Sequence, residues 1–171
     1  MQHSVLVAYA TSYGSTQEVA EAVAAALREA GLTVDCQPAS AVRSLDGHGA
    51  VVLGAPLYMF RWHKDAKGFL SRQREGLKVR PVAVFALGPF NVDPKEFQDA
   101  RGQLDKELVN FPWLAPVAIE IFGGKFDPAA LRFPYNLIPA LKKMPVSDIR
   151  DWNAIRAWAD GIAPLLEPHT A

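Results

Sequence analysis

Thr11-Ser12-Tyr13-Gly14-Ser15-Thr16 joins an apolar run, Val5-Leu6-Val7-Ala8-Tyr9, to the Ala/Glu/Val-rich segment from Gln17 to Ala30. The first run is short and nearly continuous, as a parallel strand covered on both faces must be. The second has helical spacing ended by Gly31, so the two make a βα unit. Between them, backbone N–H groups at the helix start and several short hydroxyls converge where the helix dipole favours negative charge, which suits a phosphate monoester. Gly14 lets the backbone approach a ligand closely. No Lys follows the glycine, as a nucleotide triphosphate loop requires, and no G-x-G-x-x-G is present, so the turn points to a mononucleotide phosphate. A plainer reading stays open beside it. Ser15 stands three residues before Glu18, the spacing of a helix capping box. Position favours the ligand, because the end of the first strand of an open α/β sheet can lie at the switch point where ligands bind.

The rest of the chain extends this unit. Thr33 to Gln37 reads as a second strand, Ala50 to Gly54 as a third, Pro81 to Leu87 as a fourth and Pro116 to Phe122 as a fifth. Helical patterns fall at Lys64 to Glu75 and Pro94 to Val109, a weaker one near Ser40 to Leu45, and a last one from Trp152 onward. Alternating strands and helices with right-handed crossovers predict a three-layer α/β sandwich on a five-stranded parallel sheet of order 2-1-3-4-5. In that order the loops Thr11 to Thr16, Ala55 to Trp62 and Gly88 to Asp93 cluster at one end. Their Gly, Pro, aromatic and hydroxyl residues suit a ligand with one phosphate end and one flat apolar end.

Composition narrows the partners. A chain of 171 residues, 50% hydrophobic and 21% charged, suits one globular domain, here 1–171 with a long segment inserted at about 126–150. Lys+Arg and Asp+Glu are equal at 18 each, so nothing in the bulk charge suggests nucleic acid. The one cysteine, Cys36, excludes an intrachain disulfide and a cysteine metal cluster, and lies in an apolar/polar alternation that predicts a half-buried strand thiol. His3, His48, His63 and His169 are scattered, with no metal-ligand or Ser/His/Asp grouping. No basic region with an apolar run and cleavage site opens the chain, and no stretch has bilayer length, so the expectation is a soluble cytoplasmic protein.

These motifs resemble the flavodoxin-like FMN-binding family. The S/T-x-T/Y-G-x-T type of phosphate loop is matched by Thr11 to Thr16, a strand-three Gly-Ala-Pro turn by Gly54-Ala55-Pro56, and the strand-four end by Leu87-Gly88-Pro89. The chain is most similar to the menaquinone-dependent protoporphyrinogen dehydrogenase group, whose Gly-Ala-x-x-Tyr loop and basic stretch correspond to Gly54 to His63 and whose inserted segment corresponds to Leu131 to Trp152. The resemblance implies FMN, with its phosphate on Thr11, Ser12, Tyr13, Gly14, Ser15 and Thr16. It implies an isoalloxazine ring beside Pro56, Leu57, Tyr58, Met59, Leu87, Gly88, Pro89, Phe90 and Asn91. The insert is less cationic than the group's, with Arg132, Lys142 and Lys143.

A flavin needs apolar or aromatic walls, and the redox step belongs to its ring. Tyr58 and Phe90 are expected to face it, whereas Phe60 and Trp62 read as core packing. Arg61, His63 and Lys64 are candidates for positive charge near the ring, set against a solvated loop end, and His63 for a proton relay. Phe126 to Pro145 is far longer than a strand-to-helix link needs, and its large apolar residues with interspersed cations suit an interface, the lip over a hydrophobic acceptor, or a satellite core. Peripheral membrane contact is the weaker expectation there. Two classes of function compete. One is an FMN-dependent oxidoreductase working between an organic donor and a quinone-like acceptor. The other is an electron carrier that docks on redox proteins, which usually relies on an acidic face that a chain of zero net charge lacks.

Overall fold

A computed structural model describes residues 3–59 and 61–167. Five parallel strands form its centre: β1 (Ser4–Tyr9), β2 (Val34–Pro38), β3 (His48–Tyr58), β5 (Val82–Leu87) and β6 (Ala118–Phe122). They lie side by side as β2-β1-β3-β5-β6. Counted among themselves, that is the expected order 2-1-3-4-5. A two-residue strand, β4 (Arg61–Trp62), pairs antiparallel with the end of β3.

Successive strand side chains point to opposite faces, and both faces are apolar. Leu6, Ala8, Val51, Leu53 and Val84 join one core with Trp62, Phe69, Leu104 and Phe111. That face is covered by α2 (Lys64–Arg72), α3 (Arg74–Lys78) and α4 (Pro94–Leu108). Val5, Val7, Val52 and Phe85 join the other core with Val19, Val23, Leu27, Ile155 and Ile162. Those last five come from α1 (Ser15–Glu29) and α6 (Trp152–Leu166). The three layers follow directly.

Three details differ from the sequence reading. Gly54-Ala55-Pro56 is strand rather than turn, because β3 runs on beside β5 with Ala55 opposite Ala86 and Pro56 opposite Leu87. The β1 side ends earlier, at Tyr9 opposite Gly54, so the missing N–H of Pro56 costs no bond to β1. Gly54 serves close packing: a Cβ there would lie 1.9 Å from Cζ of Phe85. The pattern from Lys64 to Glu75 divides into α2 and α3 at Gln73, whose amide still donates to the Phe69 carbonyl and whose turn brings Leu77 into the core. Ser40 to Leu45 is not a helix beyond the single 3-10 turn Ala39–Ala41, after which extended Val42 and then Leu45 insert into the core.

Between β6 and α6 the chain makes a small hairpin, β7 (Lys125–Phe126) against β8 (Ser147–Asp148). The segment it closes carries 3-10 turns at Pro128–Ala130 and Tyr135–Leu137 and a one-turn helix, α5 (Pro139–Lys142). It does not form a satellite core. Phe133, Leu137 and Val146 are exposed, at 77%, 64% and 67%.

Candidate functional site

The turn after β1 is built around Gly14, the N-cap of α1, at φ 89. That left-handed conformation is inexpensive only for glycine. Thr11 Oγ1 accepts the Gly14 N–H at 2.8 Å, closing the turn. No side chain caps α1, so the Ser15–Glu18 capping box of the plainer reading does not form. The first-turn amides therefore have no intrahelical partner and face the loop with the positive end of the helix dipole.

Thr16 makes this turn unusual. Its side chain is fully buried, and its Oγ1 has no hydrogen-bond partner. A buried hydroxyl left unpaired costs about 1–3 kcal/mol, so such a group in a native fold calls for a ligand or an ordered water.

Beside the turn lies a narrow cleft, partly open to solvent. Ser12, Tyr13 and Ser15 line it from the turn, Pro56, Leu57 and Tyr58 from the end of β3, and Leu87, Gly88 and Phe90 from the end of β5. Tyr13 and Tyr58 are 5.8 Å apart between ring centroids, and Tyr135 of the insert extends the row at 6.1 Å from Tyr58. Burial, then the neighbouring Tyr13 and Tyr135, pushes the Tyr58 phenol up, so it is a neutral hydroxyl at physiological pH. The Gly88–Phe90 loop is pinned from the insert side: Gly124 N–H donates to the Pro89 carbonyl at 2.7 Å, and Ser147 Oγ to the Phe90 carbonyl at 2.6 Å.

Some of the expected residues stand elsewhere. Met59, at φ 48, and Pro89 line an adjoining groove against α4, which meets the cleft at Leu57, Gly88 and Phe90. Asn91 uses its amide on the α4 cap, donating to Glu96 and accepting from the Asp93 N–H. Trp62 is a core residue as expected, 1% exposed with Nε1 donating to the Ala55 carbonyl. His63 caps α2 through Nδ1, which accepts the Asp65 N–H at 3.1 Å. Burial lowers its pKa, with Asp65 opposing and Lys64 assisting. It does not line the cleft, and neither do Arg61 and Lys64. Phe60 and His169 lie outside the described residues.

The cation at the cleft is one the sequence reading passed over. Lys125 and its neighbour Gly124 line the cleft, and Lys125 also lines a second chamber beside it. That chamber shares Tyr13, Ser15 and Tyr58 with the first and adds Phe126, Asp127, Ala130 and Leu131 of the insert. The signal was the pair Gly123-Gly124 after β6, at the same sheet end as the other loops. A Cβ on Gly124 would crowd Phe90 at 3.3 Å. Among the described residues no group of His, Cys, Asp and Glu could hold a metal ion, and no helix is long and apolar enough to cross a membrane.

Comparison with known proteins agrees with this fold. A sequence model of the flavodoxin domain matches residues 6–141. Protoporphyrinogen IX dehydrogenase (quinone) of Escherichia coli is 23% identical over 96% of this chain and 97% of its own length. Among solved structures, oxidised flavodoxin 1 from Bacillus cereus superposes with a TM-score of 0.61 at 16% identity, covering 96% of this chain and 99% of that one. A flavodoxin from the domain Archaea does so at 0.59 and 12%, covering 95% and 98%.

Proposed function

The chain belongs to the flavodoxin domain family, and from that premise we propose that it is a cytoplasmic FMN-dependent oxidoreductase passing electrons from an organic donor to a quinone-like acceptor. The observation that carries the reading is the unpartnered Thr16 hydroxyl, buried at the uncapped start of α1. Thr16, Ser12, Ser15 and the first-turn amides would hold the phosphate. Leu57, Tyr58, Leu87 and Phe90 would wall the ring, and bound FMN would supply the redox couple. The protein's own work is then to bind, orient and exclude water. Lys125, which lines the cleft, would offer positive charge to a reduced flavin there, the role first considered for Arg61, His63 and Lys64.

The second chamber favours an enzyme over a carrier. It adjoins the cleft through the Tyr13–Tyr58 edge, and its Phe126 and Leu131 walls beside the Lys125 ammonium suit a flat apolar molecule with an anionic edge. The relative from Escherichia coli is named for protoporphyrinogen and quinone, which we take as the substrate classes to test first. Exposed Phe133, Leu137 and Val146 among Arg132, Lys142 and Lys143 support peripheral contact with an anionic membrane, where a lipid-soluble acceptor would be met.

The test is a titration of the purified protein with FMN and with riboflavin, then anaerobic mixing of the reduced protein with a short-chain quinone. Tight FMN binding, much weaker riboflavin binding and rapid reoxidation are expected. Failure to bind FMN would remove the cofactor. Slow quinone reaction with fast transfer to a haem or iron–sulfur protein would establish the carrier instead.

A further inference from the structure

Arg150, at the end of the insert, is far from α1 in sequence yet reaches its first turn. Its side chain is 4% exposed. Nε and Nη2 donate to the two Asp148 carboxylate oxygens at 2.9 and 2.8 Å, and Nη1 donates to Glu18 Oε2 at 2.9 Å and to the Ser15 carbonyl at 3.3 Å. The guanidinium also lies 4.8 Å from the Trp152 ring centroid. All three nitrogens are engaged.

Glu18 is the acid in the first turn of α1. A carboxylate there is drawn to the positive end of the helix dipole and to the free N–H groups of the first turn. The same amides are the ones a phosphate would use. Here the cap is absent, and Glu18 is turned onto Arg150 instead. Asp148 closes the other side of the fork and fixes the guanidinium plane, a geometry that a single ammonium cannot reproduce. The Ser15 carbonyl held by the same group belongs to the peptide whose N–H, on Thr16, points the opposite way in a trans unit.

We propose that Arg150 is a positioning residue for anion binding, which keeps the Glu18 carboxylate off the amide end of α1 and holds the Ser15–Thr16 peptide in place for a phosphate. This rests on the FMN reading of the turn, and it ties the foot of the insert to the cofactor's phosphate rather than to its ring.

The experiment measures dissociation constants of the apo protein for FMN and for riboflavin, which lacks the phosphate, in the unsubstituted chain, R150Q, E18Q and the double variant. Thermal stability of each apo protein is recorded alongside. R150Q should weaken FMN by about tenfold while changing riboflavin little, since only the phosphate competes with Glu18. E18Q alone should leave FMN binding equal or tighter. In the R150Q background it should recover about threefold or more, the coupling expected of two groups in direct contact. Should R150Q not fold, R150K reads the same ratio and should show a smaller loss that E18Q again relieves. Equal weakening of both flavins, or no recovery with E18Q, would make Arg150 a purely structural brace and overturn the proposal. If the unsubstituted chain binds FMN no better than riboflavin, the cofactor reading fails instead, and the two failures are told apart by that first measurement.

Discussion

Thr16 carries opposite consequences for the empty and the loaded protein. Replacing its hydroxyl by a methyl group in Thr16→Val keeps the shape and removes a buried polar atom that lacks a partner. The ligand-free protein should therefore be as stable as before or more so, by up to about 3 kcal/mol. FMN should bind more weakly by about 0.5–3 kcal/mol through the lost hydrogen bond. Calorimetric titration and thermal denaturation of the same samples read the two signs, and unchanged FMN affinity would remove Thr16 from the site. The hydroxyl itself was legible in the Thr11 to Thr16 stretch. Its burial was not, because burial depends on how α1 seats on the sheet.

At the scale of the element, α2 shows how a residue suited to chemistry is taken for structure. His63 was a candidate for charge or proton transfer, yet its Nδ1 caps the helix and must stay unprotonated to accept the Asp65 N–H. Burial, the largest cause, lowers its pKa in the fold below the ordinary 6.5. The neutral ring's contribution is thus fully present above pH 6.5 and is lost as pH falls through the lowered folded value, where the imidazole must charge. His63→Asn, a capping residue that does not titrate, should keep the helix stable and abolish this acid-side loss. His63→Ala should cost about 0.5–2 kcal/mol above pH 6.5, with no further loss on acidification from this site. Denaturant melts at pH 7 and pH 5 would check both, and an unchanged acid-side loss in the Asn variant would free His63 for another role. Element type was readable from periodicity for α1, α4 and α6. The break at Gln73 and the strand character of Gly54-Ala55-Pro56 were set by neighbours: Leu77 reaching the core, and β5 running beside β3.

Across the whole molecule, the sheet and the insert divide the work. Both sheet cores close without the insert, whereas the second chamber needs Ala130 and Leu131. Replacing residues 128–146 by a short Gly/Ser link, with Lys125, Asp148 and Arg150 kept, should leave FMN affinity within about threefold and lower kcat/KM for a quinone by about tenfold or more, as expected when a substrate-positioning wall is lost. Steady-state kinetics on the FMN-loaded variant would decide, and undiminished quinone turnover would place the acceptor elsewhere. The order of the five parallel strands, the two-sided core and the glycine turn before α1 were determined by the sequence itself, since hydrophobic period, chain order and right-handed crossovers are local or topological constraints. Only the tertiary structure decided that Lys125 rather than Arg61, His63 or Lys64 stands at the cleft, that Asn91 turns to α4, and that Arg150 holds Glu18. Each of these depends on which way a side chain leaves a loop whose course is set by distant contacts, and no spacing within one segment encodes that.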